Sequence, residues 1–267
     1  NLSFTVYQVP TSTFVLNVEQ LCGMESVTVS YTGNAIENAT YDWDFDGGNI
    51  VSGSGQGDYE ISWDTPGGKN ISLTVTENGC YSDSYSLSIP VYNPVSDLSI
   101  DNIVCENLNT IIEFIGFATD SATFNWDFDN ANIITGSGVG PYEVSWDELG
   151  TKNVSLTIND NGCMSTATTK SIAHNPIPTT TISASEKICY DGIANINYIG
   201  SASASASYNW DFDGATIISG TGSGPYEITW SNDGLKSITL VVEDNGCSSD
   251  TLIQLMVNPQ TQPNPIC

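Results

Sequence analysis

Along most of this chain, apolar and polar residues take turns. Tyr59, Ile61 and Trp63 alternate with Glu60, Ser62 and Asp64, and Ile71, Leu73 and Val75 alternate with Ser72, Thr74 and Thr76. The same runs return as Tyr142, Val144 and Trp146 and as Tyr226, Ile228 and Trp230. A period of two puts successive side chains on opposite faces of an extended strand, so one face is apolar and the other polar. Antiparallel strands with a single buried face read this way, and no segment shows the 3.6-residue period of a helix. Glycine-rich loops (Gly53 to Gly57, Gly136 to Gly140, Gly220 to Gly224) separate the strands.

The runs recur on a fixed ruler. Tyr41-Asp-Trp-Asp-Phe-Asp46 returns as Phe124 to Asp129 and as Tyr208 to Asp213. A second tryptophan follows the first in each copy: Trp43 and Trp63, Trp126 and Trp146, Trp210 and Trp230. A repeat of about 83 residues with about seven short strands fits an immunoglobulin-like sandwich. Asn-Pro pairs at Asn93, Asn175 and Asn258 mark linkers, because proline keeps the preceding residue out of a helix and cannot continue a central strand.

The expected fold class is therefore all-β: three tandem sandwiches in an extended rod, with repeats at 10–92, 93–174 and 175–257. Residues 1–9 read as the terminal strand of a preceding repeat, and 258–267 as a linker and the start of a following one. The six tryptophans lie on the apolar face and are expected in the repeat cores.

Cysteines keep the same register. Cys22 and Cys80, Cys105 and Cys163, and Cys189 and Cys247 are equally spaced, and the spacing predicts one bridge inside each repeat. Each such bridge would close a long loop and add ~4 kcal/mol on the chain-entropy model, which a domain this small needs. Cys267 falls where a fourth repeat would place its first cysteine, so its partner is expected outside this sequence. Cysteines paired in this way imply an oxidising compartment, and the expected location is extracellular, on a cell surface.

Charge narrows the partners. The chain carries 31 acidic residues against five lysines, a net charge of −26. Nucleic acid and anionic lipid both need a basic footprint that is absent, and no apolar run is long enough for direct membrane insertion. The repeats carry −10, −9 and −7 (11 acids with one lysine, 11 with two, nine with two), which disfavours packing them side by side. The expected partners are further copies of the repeat in cis, with a surface glycan or protein ligand unidentified.

The Trp-Asp-Phe segments, each followed by a glycine loop and an alternating strand that ends in Asn-Gly-Cys, resemble the polycystic-kidney-disease (PKD) domain family. That resemblance covers the chain three times over and implies seven-stranded sandwiches that act as spacers or interaction units outside the cell. The turn after the motif departs from the family's Gly-Asp-Gly: here it reads Asp46-Gly47-Gly48, Asp129-Asn130-Ala131 and Asp213-Gly214-Ala215. The cysteine-bearing form is similar to repeats of the large surface adhesins that gliding bacteria export by the type IX route.

Candidate chemistry is sparse. Asp42, Asp44 and Asp46 before Gly47 imitate the opening of a calcium loop, but Gly53 stands where a bidentate glutamate is needed, so no metal is expected. The aspartates read as outward-facing or turn-capping residues. A strand rather than a helix follows each glycine loop, so these loops read as flexible hairpin connections and not phosphate cradles. His174 is the single histidine and has no counterpart in the other repeats. No nucleophile elbow accompanies it, and neither an enzyme nor a cofactor is expected. The leading reading is a structural or adhesive segment of a surface filament or adhesin. A second stays open: an accessory glycan- or protein-binding module of a secreted enzyme or receptor.

Overall fold

A computed structural model describes residues 3–185, 188–189 and 191–258. Among them every regular element is a strand, and the strands group at 14–92, 98–175 and 182–258 as three like units. The first unit contains β1 (Phe14–Leu16), β2 (Leu21–Cys22), β3 (Val27–Tyr31), β4 (Thr40–Asp44), β5 (Asn49–Ser52), β6 (Tyr59–Ser62), β7 (Gly67–Glu77), β8 (Cys80–Tyr81) and β9 (Tyr85–Tyr92). One sheet runs β1-β3-β6-β5 and the other β2-β9-β7-β4, with β8 on the end of β7. The other units repeat this order, except that β8 and β9 merge into one strand, Cys247–Asn258, in the third.

Alternation explains the core directly. Val27, Val29, Ile61, Ile71, Leu73, Val75 and Ile89 of the first unit are fully buried between its two sheets. Each unit has its own apolar cluster, and among the described residues no cluster is shared between units. Strand β5 is the exception: all four of its residues are exposed. It lies on a sheet edge, and a register shift between Ile50 and Ser52 interrupts its pairing with β6. Such an irregularity blunts an edge that would otherwise template another strand.

Two pairings fix which end of a unit is which. Strand β7 lies antiparallel to β9, with Gly67 opposite Val91. Strand β2 lies parallel to β9, so Cys22 sits beside Tyr92, where the chain leaves the unit (the trailing pole). The β7–β8 hairpin sets Cys80 opposite Glu77, at the other end of β7. That end, the leading pole, is where the chain comes in: Ser12 Oγ donates to the Asp83 carbonyl at 2.6 Å.

The surface area agrees with three separate units. A compact globule of 28.5 kDa exposes about 11,300 Å², and three globules of a third that mass expose about 15,100 Å². The chain exposes 15350 Å². Residues 3–9, read above as a terminal strand, form no strand here, and Phe4 and Val6 are exposed. Residues 259–267, with Cys267 and most of the expected fourth-repeat start, lie outside the described residues.

Candidate functional site at the repeat junctions

The cysteines correct the expected pairing. Cys22 is bonded to Cys163 and Cys105 to Cys247, so each bridge joins neighbouring repeats rather than closing one repeat on itself. The reason is the length of β7. Its 11 residues place Cys22 and Cys80 at opposite poles, ~33 Å apart at about 3.3 Å per residue, whereas bonded cysteines need Cα atoms within about 7 Å. The observed pairs have Cα separations of 5.3 and 5.6 Å. Cys80 is a free, half-buried thiol. Cys189 is disulfide-bonded, which leaves the predicted Cys189–Cys247 bridge excluded by the Cys105–Cys247 bond.

The Asn-Gly-Cys segment builds the leading half of each junction. Asn78 and Gly79 have φ of 48° and 78°, Asn161 and Gly162 52° and 88°, and Asn245 and Gly246 50° and 79°. Two successive positive φ angles make the two-residue hairpin turn whose twist matches the flanking strands, and Asn-Gly is its preferred sequence. The cysteine after the turn is thereby presented at the tip of the unit. The trailing pole of the preceding unit meets that tip. Gln20 Nε2 donates to the Asn161 carbonyl at 2.7 Å, and Asn175 Nδ2 donates to the Asn245 carbonyl at 2.8 Å. At the second junction Ile103 packs on Gly246 so closely that an added Cβ would lie 2.9 Å from its Cδ1. Beside the first bridge lies an apolar cleft of ≈ 210 Å³ between Pro66, Pro90 and Tyr92 of one unit and Phe117 and Thr119 of the next.

A carboxylate steadies each leading pole from within. Asp160 is buried and accepts from the Thr119 N–H at 2.8 Å and its hydroxyl at 2.5 Å. Asp244 makes the same two bonds to Ser203, and these hold its pKa below the usual carboxylate value. In the first repeat Glu77 takes this place. Burial, then the neighbouring Tyr31 and Glu77, pushes the phenol of Tyr41 up to about 12.

Gly246→Ala should weaken the second junction. The substitution adds left-handed strain of about 1–2 kcal/mol and a clash with Ile103. Gly79→Ala, at the same φ but with nothing within 4 Å, carries the strain alone. The thermal midpoint should fall further for Gly246→Ala, and equal falls would show that the Ile103 contact contributes nothing.

The tryptophans divide into two kinds. Trp63, Trp146 and Trp230 are buried, and each indole N–H donates at 2.9 Å to the carbonyl of the motif phenylalanine: Phe45, Phe128 and Phe212. Trp43, Trp126 and Trp210 are only half buried at the margin of the core. Each reaches sideways to a glycine loop, donating to the carbonyl of Gly55, Gly138 or Gly222 at 3.3, 3.1 and 2.9 Å. Tyr59, Tyr142 and Tyr226 donate to the same carbonyls, so these loops are pinned rather than flexible.

The motif aspartates cap turns. Asp44 Oδ1 accepts the Asp46 N–H at 2.9 Å, and Asp46 Oδ2 accepts the Asn70 N–H at 3.1 Å, a pattern kept in both other repeats. Among the described residues no three His, Cys, Asp or Glu side chains gather as a metal site would require. His174 is buried beside Trp146 and bonds the Glu148 carbonyl through Nδ1 at 2.7 Å. It is a packing residue of the second trailing pole.

Residues 175–257 match the PKD-like domain family, over the span read from the sequence as the third repeat. No curated protein matches the chain. The I-band fragment I67–I69 from titin aligns over 96% of this chain and 100% of its own at 13% identity, with a TM-score of 0.41. Invasin, described as a bacterial integrin-binding protein, aligns over 93% of this chain and 59% of its own at 12% identity, with a TM-score of 0.48. The three N-terminal domains of the bacteriophage RB49 outer capsid protein Hoc align over 94% and 99%, at 12% identity and a TM-score of 0.42.

Proposed function

We propose that this chain is a non-catalytic, rod-forming segment of a long extracellular repeat protein, a surface filament or adhesin. The observation that carries the reading is the covalent clasp between successive sandwiches, Cys22–Cys163 and Cys105–Cys247. Each clasp, with its amide–carbonyl bond, restricts swinging at a linker of a few residues. The units bear like charge, and disulfides suit an oxidising compartment. We extend the proposal to the surface adhesins of gliding bacteria on the likeness of the Asn-Gly-Cys repeats alone. The ligand at the far end of such a rod is a surface protein or glycan.

Small-angle scattering on the oxidised chain tests this. Three units in line should span on the order of 100–120 Å, with a radius of gyration near 30 Å, taking ~33 Å per β7-type strand plus loops. A compact globule of this length would give about 18 Å. A value near the latter would remove the basis for the rod and for the function inferred from it.

A further inference from the structure

The two junctions use the same surfaces, and the leading pole of the first repeat presents that surface with no other described residue docked on it. We infer that the Asn78-Gly79 turn and Cys80 form a docking surface for the trailing pole of another repeat of this type, sealed by a disulfide to Cys80. The inference rests on the proposed rod and names the contact that would extend it.

Each feature used at the two junctions has an idle counterpart here. Cys163 and Cys247 are bonded to a preceding repeat, while Cys80 is free. The carbonyls of Asn161 and Asn245 accept from Gln20 and Asn175, while no donor reaches that of Asn78 among the described residues. Gly162 and Gly246 lie under Gln20 and Ile103, while Gly79 has nothing within 4 Å of an added Cβ. The turn geometry is the same in all three repeats, so the surface is already formed before a partner arrives.

The occupant is set by these complements: a short strand ending in cysteine, lying parallel to the last strand of its own unit, with an amide side chain beside it. Residues 3–9 favour a repeat joined directly in front of the first. They alternate Phe4 and Val6, 86% and 91% exposed, with Thr5 and Tyr7, as Ile89 and Val91 alternate with Pro90 and Tyr92 in β9. Closing the bond removes one proton from each thiol and two electrons from the pair. An external disulfide such as oxidised glutathione takes them up and leaves as two thiols.

The test is a four-repeat chain. A copy of residues 93–178 is joined to Thr11, which keeps the linker length of the second junction. After oxidation by glutathione disulfide, non-reducing digestion should yield the Cys80 peptide linked to the added copy's first cysteine, and Cys80 should resist maleimide until reduced. A folded added repeat with Cys80 still open to maleimide, or linked only to glutathione, would overturn the inference. If that copy fails to fold, residues 10–94 joined to Thr11 supply a second version with the linker of the first junction. Scattering from the original three-repeat chain decides the rod independently, so the two ideas can fail separately.

Discussion

Reducing the two inter-repeat disulfides, or replacing Cys163 and Cys247 by serine, should lower the unfolding midpoint and split one thermal transition into several. The chain-entropy model gives about 5 kcal/mol for a loop of 141 residues, and ~4.5 kcal/mol when one of the two units stays folded and only about 75 residues are free. Because the loop spans two units, its stabilisation is shared, and unfolding one unit releases less than unfolding both. Calorimetry with and without reductant reads this as lost coupling between repeats. Identical traces, or a non-reducing peptide map that joins Cys22 to Cys80, would defeat the account. Stretching gives a second reading. Between residues 22 and 247 the shortest covalent route runs across one bridge, back through the 58 residues from Cys163 to Cys105, and across the other. At ~3.5 Å per residue the unfolded oxidised chain should extend by about 200 Å between these points, against about 790 Å when reduced.

Trp230→Ala should be the most damaging single change to a repeat core. The indole is 2% exposed, and its N–H serves the Phe212 carbonyl at 2.9 Å. Emptying such a site costs about 3–5 kcal/mol. Trp230→Phe keeps most of the volume and leaves that carbonyl with only its Ala215 N–H donor at 3.2 Å, a loss of roughly 0.5–1.5 kcal/mol. Trp210→Ala, at the half-buried position, should cost less than Trp230→Ala. Denaturant unfolding of the three variants gives the order directly, and a larger loss at Trp210 would place the weight of the core on the wrong tryptophan.

Period-two alternation and the 83-residue ruler made the sandwiches legible in the sequence, because a strand with one buried face writes its burial into every second residue. The disulfide partners were not legible from spacing. The interval from Cys22 to Cys163 is one repeat plus the interval inside a repeat, so a regular register fits bridges within and between repeats equally well. What separates them is the parallel pairing of β2 with β9, a contact between distant segments that leaves no local pattern. One local signal was present: Asn-Gly before each second cysteine marks a hairpin tip, and a tip faces a neighbour. Alternation likewise reports which face a side chain takes but not how far it lies from the sheet's margin. Trp43 and Trp63 therefore looked alike in sequence, although one caps a glycine loop and the other fills the centre.

The two disulfide-closed loops, 22–163 and 105–247, overlap across residues 105–163. No peptide bond between 22 and 247 lies outside both. A protease that cuts once anywhere in that span, including the linkers after Tyr92 and Asn175, leaves the two fragments held by at least one disulfide. The nicked protein would migrate as intact without reductant and separate only when reduced. In an oxidising compartment that keeps the disulfides closed, such a chain survives a single cut without losing either fragment.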